Sequence, residues 1–137
     1  MTKRGYDCHS PLVSATVESL FDEYARRYIA GDVKGVTSLC LYPFLAVRKG
    51  EAIHMPDSGA VSVHFAAAID AYRRAAAVET WTRVALDVRH LGDHSVFATV
   101  HWNALDADGR VVRDTWTSYQ LLATPDGWRF LSYTNHF

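Results

Sequence analysis

The chain has 137 residues, 49% hydrophobic and 21% charged, with 14 Lys and Arg against 15 Asp and Glu. That size supports a core of its own without disulfide or metal staples. The near-neutral charge, with no basic block, argues against nucleic acid as a partner, and no apolar run approaches the roughly 20 residues of a membrane-spanning helix.

No repeat or linker-like stretch divides the sequence, so one domain over residues 1–137 is expected. Two cysteines, Cys8 and Cys40, and a basic start, "MTKRGYDCHS", with no apolar stretch behind it give the expectation of reduced thiols and a cytoplasmic protein.

The first helix opens with Ser10 as a cap and Pro11 at the first helical position. Val13, Val17, Leu20, Phe21, Tyr24 and Tyr28 then recur at three- and four-residue steps, and Gly31 suits the residue past the helix end. Asp32 caps a shorter helix carrying Val33, Val36 and Leu39. "FLAVRKGEAIHM" reads as two strands about a turn at Lys49-Gly50. Asp57 or Ser58 caps a third helix, with Val61, Phe65, Ala68, Ile69 and Tyr72 along one stripe.

The rest reads as four strands, separated by turns at Gly92-Asp93, Asp106–Gly109 and Pro125–Gly127. The order is α-α-β-β-α-β-β-β-β. Helices segregated to one face of a mostly antiparallel six-stranded sheet make an α+β domain. A sheet curved around three helices leaves a tapering interior that can hold a small ligand.

Three stretches carry a likeness beyond pattern: "EYARRYIAGDVKGVTSL", "YPF" and "TSYQLLATPDGWRF". With them the whole chain resembles the NTF2-like superfamily, which includes SnoaL-like and ketosteroid isomerase-like proteins. The resemblance implies a cone-shaped half-barrel, a deep pocket and a homodimer. Its members include isomerases, dehydratases, cyclases and proteins that catalyse nothing. Tyr24 falls where the ketosteroid isomerase pattern carries its oxyanion-hole tyrosine. The pattern's base, an Asp before Pro-Phe, is replaced by Tyr42 before Pro43-Phe44, and its second oxyanion donor falls near Tyr119. Steroid isomerisation needs a base, so that activity does not carry over.

In "TWTSYQL", Leu121 and Tyr119 share a face with Thr117 and Thr115. That face should meet the helices, with Val96, Ala98, Val100 and Trp102 beside it on the neighbouring strand. The hydroxyls then border a ligand or water, or bond to neighbouring groups. "RFLSYTNHF" is apolar on both alternates. The resemblance favours Leu131, Tyr133, Asn135 and Phe137 inward, and a one-residue slip would bring His136 in instead. The expected pocket residues are therefore Tyr24, Tyr28, Tyr42, Trp102, Thr117, Tyr119, Tyr133 and Asn135. Phe97, Trp116 and Leu122 would lie on the convex face, which we expect to form a homodimer contact.

Candidate catalytic groups are Tyr24, Asp87, His54 and His136. Asp87 should point outward into an ion-pair row with Arg83 and Arg89, and becomes a base only if its strand slips. His64 borders the stripe of the third helix. His90, Asp93 and His94 read as a solvated turn. No cofactor and no metal site is expected.

Three readings follow. The first is a SnoaL-like protein binding a small, mostly apolar molecule. The second is a cofactor-free isomerase, dehydratase or cyclase acting on a carbonyl of a polyketide- or steroid-like substrate. The third is a non-catalytic dimerisation module. Whether there is catalysis stays open at this point.

Overall fold

A computed structural model describes residues 11–137, with side chains from residue 16 onward. Ser10, Cys8 and the side chain of Val13 lie outside them. The elements run α1 (Pro11–Ala30), α2 (Val33–Thr37), β1 (Cys40–Arg48), β2 (Glu51–Met55), α3 (Ser58–Ala75), β3 (Thr80–His90), β4 (Ser95–Leu105), β5 (Val111–Thr124) and β6 (Gly127–Asn135). This is the predicted order, and no described helix is long and apolar enough to cross a membrane.

The helices begin where the sequence places side-chain acceptors. The Asp32 carboxylate accepts from the Gly35 N–H, and Asp57 accepts from the Ala60 N–H. Gly31 leaves α1 at φ 71°, a conformation that favours glycine. Val17, Leu20 and Phe21 of α1 and Val61, Phe65 and Ile69 of α3 are buried. They pack against the inner face of one six-stranded sheet, ordered β2-β1-β6-β5-β4-β3. Every pairing is antiparallel except β1 with β6.

Alternation governs β4 and β5. Val96, Ala98, Val100, Trp102 and Ala104 are all buried, as are Thr115, Thr117, Tyr119 and Leu121 opposite them. The predicted inward set is the observed one.

Four of the five pairings carry a register shift, and where one extra residue is inserted the side chains after it keep the face that simple parity would deny them. In β6, Leu121 pairs with Phe130 but Gln120 pairs with Ser132, leaving Leu131 as the extra residue. Phe130 and Tyr133 therefore both face the helices, and Leu131 does not take the inward place expected of it. In β3 the register shifts between Arg83 and Ala85, so Val84 is exposed. Arg83 bonds Glu18 and Asp22 of α1, so the expected ion-pair row with Asp87 does not form, and Asp87 is exposed. In β1 the register shifts between Cys40 and Leu45, around a cis Tyr42–Pro43 bond.

Candidate functional site

The sheet and helices enclose a tapering cavity of about 460 Å³. Tyr24, Tyr28, Trp102, Thr117, Tyr119, Tyr133 and Asn135 line it, drawn from α1, β4, β5 and β6. Phe21 and Phe130 lie in the core beside this lining, their rings 5.5 Å apart and edge-on, each also packed against Tyr119.

Helical spacing brings the aromatic groups together on one side. Tyr24 and Tyr28 are one turn apart on α1, with centroids 5.7 Å apart. Tyr28 meets Phe65 and Trp81 edge-on, and Trp81 meets Tyr72 of α3 in the same way at 5.0 Å. Strand register brings the rest. Tyr119 pairs directly with Tyr133, and Thr117 with Asn135.

The polar groups of the wall are tied to one another. The Trp102 Nε1–H donates to the Tyr119 hydroxyl at 2.9 Å, and Thr117 Oγ1 donates to Asn135 Oδ1 at 3.0 Å. His64 Nε2 of α3 and the Tyr133 hydroxyl of β6 share a hydrogen bond of 2.6 Å.

Burial dominates the proton affinities. It pushes the phenols of Tyr24, Tyr28 and Tyr119 well above the ordinary tyrosine range, with hydrogen bonds from Trp102, Tyr24 and Thr117 opposing the rise at Tyr119. Tyr133 is pushed up to about 12 by the same desolvation. These phenols keep their protons at neutral pH and act as hydrogen-bond donors. His64 shifts downward, first through burial and then through the nearby Arg48 charge. Its imidazole is accordingly neutral near pH 7 and, among the described residues, is the one lining group with the chemistry of a base at that pH. No described Asp or Glu lines the cavity.

Several expected site residues lie elsewhere. Tyr42 is exposed, because the irregular start of β1 carries it off the inner face and its hydroxyl donates to the Thr37 carbonyl at 2.6 Å. His54 sits on the edge strand β2 and is exposed. His136 falls on the outer face after the β6 bulge, where Nε2 bonds Ser118 Oγ at 2.7 Å. Asp87 faces outward as well, so three of the four candidate catalytic groups are outside the cavity and Tyr24 alone is in it.

Besides Thr115, Tyr72 and Trp81, the remaining polar lining is His64, Arg48, Lys49 and Arg113. Signals for two of them were present in the sequence. His64 falls three residues after Val61 and four before Ala68, on the buried stripe itself. Arg113 precedes Thr115 by two and so shares its face. Arg48 and Lys49 flank a turn, where neither periodicity speaks.

Three helices closing one face of a curved sheet over a hollow define an NTF2-like architecture. The chain belongs to the family described as NTF2-like protein (DUF6841), whose model matches residues 14–137. No curated protein matches it.

Among solved structures it is similar to Aln2 from a Streptomyces species (TM-score 0.74, 14% identity, covering 92% of this chain and 91% of that one). It is also similar to a protein of unknown function with a cystatin-like fold from Nostoc punctiforme (TM-score 0.73, 9% identity, 91% and 90% covered). A third is an NTF2-like protein with a cystatin-like fold from Novosphingobium aromaticivorans (TM-score 0.71, 16% identity, 89% and 79% covered). At such identities the likeness is one of fold.

Proposed function

We propose that the cone pocket binds a small, mostly apolar molecule, and that binding is the primary function of the protein. The observation that carries this reading is the unfilled interior. Trp102 and Phe137, the side chains large enough to plug it, stand in the wall and at the rim, and about 460 Å³ stays open between them. A space of that size, lined by rings with a few fixed donors, has the make-up of a ligand site. The phenols supply donors for a carbonyl or hydroxyl on an apolar body.

The test is a thermal-shift screen of a metabolite panel against the intact protein and an Ala68→Phe variant. Ala68 lines the cavity from α3, so a phenyl group there occupies the hollow. Compounds should raise the melting temperature of the intact protein, by mass action, and leave the filled variant unmoved. A panel that shifts neither protein, or both equally, defeats the reading.

One observation favours a second reading, a cofactor-free isomerase, dehydratase or cyclase. His64 is a neutral base hydrogen-bonded to an inward phenol, and Tyr24 and Tyr119 line the same cavity as donors. His64→Gln should then abolish turnover of a bound carbonyl compound while leaving its binding in place; loss of both together would leave His64 a binding group only. The convex face supports self-association. Phe97 and Trp116 are 39% and 45% exposed there, and a homodimer would cover them. Sedimentation of the protein with Phe97→Ser and Trp116→Ser together tests this, since a dimer built on that face should dissociate.

A further inference from the structure

The rim of the pocket differs in kind from its interior. Arg48 ends β1, Lys49 follows in the turn, and Arg113 approaches from β5. All three converge on one ring, that of Phe137. The Arg48 guanidinium lies 6.0 Å from its centroid, the Lys49 ammonium 5.9 Å and the Arg113 guanidinium 5.7 Å. Arg113 also lies 5.5 Å from the Tyr72 ring.

Like charges so gathered repel, and the face of an aromatic ring offsets only part of that cost. Elsewhere the arginines divide between those beside carboxylates and those, such as Arg73 and Arg129, that bond backbone carbonyls. Arg26 and Arg27 hold Glu23, Arg74 holds Asp70, and Arg83 holds Glu18 and Asp22. At the rim, among the described residues, no carboxylate answers any of the three cations. The chain as a whole carries net charge -1, so a shortage of acids does not explain it.

We propose that the ligand is an amphipathic carboxylate. Its ring-bearing body lies against the aromatic walls, and its carboxylate is held at the rim by Arg48 and Arg113, with Lys49 adding charge. This deepens the ligand-binding reading and rests on it. Planar guanidinium groups set against aromatic rings keep their N–H edges free, and those edges match the two oxygens of a carboxylate. The last turn of α3, which carries Tyr72, Arg73 and Arg74, borders the same rim, where Ala75 and Ala76 line the pocket.

The test is calorimetric titration of the full chain with 2-naphthoate, 2-naphthamide and 2-naphthyl phosphate. The naphthoate should bind at least tenfold more tightly than the amide, with the gap narrowing as salt is raised. In an Arg48→Gln, Arg113→Gln variant, shown folded by its circular dichroism, the acid's affinity should drop to that of the amide. Equal affinity for acid and amide, or a preference that survives the double substitution, overturns the carboxylate assignment while the pocket reading stands. Tighter binding of the phosphate than of the naphthoate also overturns it. Binding by none of the three, with Ala68→Phe equally inert in the thermal screen, removes the pocket reading and this inference with it.

Discussion

The two faces of β4 and β5 are made from similar residues and do opposite things. Inward, Thr115, Thr117, Tyr119 and Trp102 border a hollow. Outward, Thr99, Ser118 and His136 close on one another, with Thr99 Oγ1 to Ser118 Oγ at 2.7 Å and Ser118 Oγ to His136 Nε2 at 2.7 Å. His101 stacks flat on Trp116 at 4.1 Å and also bonds Asp114. A hydroxyl or imidazole thus marks a ligand site only where packing leaves space beside it. On the outer face each such group finds its partner on the adjacent strand.

The sharpest way to break the contrast is at the floor of the inner face. Phe21 is fully buried and touches Tyr119 and Phe130 edge-on. Phe21→Ala should cost about 3–5 kcal/mol, the range for deleting a buried aromatic ring. Denaturant unfolding reads it, and a loss below roughly 1 kcal/mol would mean that the floor collapses freely. Next comes Tyr119→Phe, which keeps the ring and strands the buried Trp102 N–H. A loss of about 1–3 kcal/mol is expected from the orphaned donor, together with a moved indole N–H resonance. The same measurement on Ser118→Ala of the outer face should give less than about 1 kcal/mol, because water can reach the half-open partners it leaves. Equal losses at Tyr119 and Ser118 would erase the distinction between the faces. Trp116→Ala, remote from the core, should change the monomer's stability by no more than roughly 0.5 kcal/mol.

The same contrast explains what the sequence disclosed. Element order, caps and the inward set of β4 and β5 follow from local chemistry and a period of two, and all are legible. Tyr24, Tyr119 and Trp102 follow from those periods and meet in the cavity as expected. The bulges at Val84 and Leu131 are not legible, since one extra residue in a strand leaves no compositional trace, and they decide the faces of Val84, Phe130 and Leu131. Tyr42 escaped for a related reason: the broken register at the start of β1 moves it outward although it shares parity with Phe44. His64 and Arg113 lay on readable stripes, but whether a stripe faces packed core or open space depends on the curvature of the whole sheet.

The smallest expected effect separates His64 from the histidines of the outer surface. The groups facing it are the Tyr133 hydroxyl of β6, the Phe65 ring and the Arg48 charge of β1. Tyr133, at about 12, stays neutral throughout the acid range. His64 is held below its ordinary value of 6.5 by burial and then by Arg48. As pH falls through that ordinary value, the unfolded chain takes up a proton that the folded protein still refuses. The unfolded state then binds more protons, so stability falls with falling pH. The contribution is whole above 6.5, declines below it, and is spent once pH passes the lower folded value. His64→Gln retains a hydrogen-bonding partner for Tyr133 and removes the titration. Its urea midpoint should therefore vary less than that of the intact protein across the acid side of 6.5, while the surface histidines cancel between the two. Parallel profiles would mean that the imidazole is as well solvated as those of His54 and His136, and that the wall of the pocket at α3 is open to water.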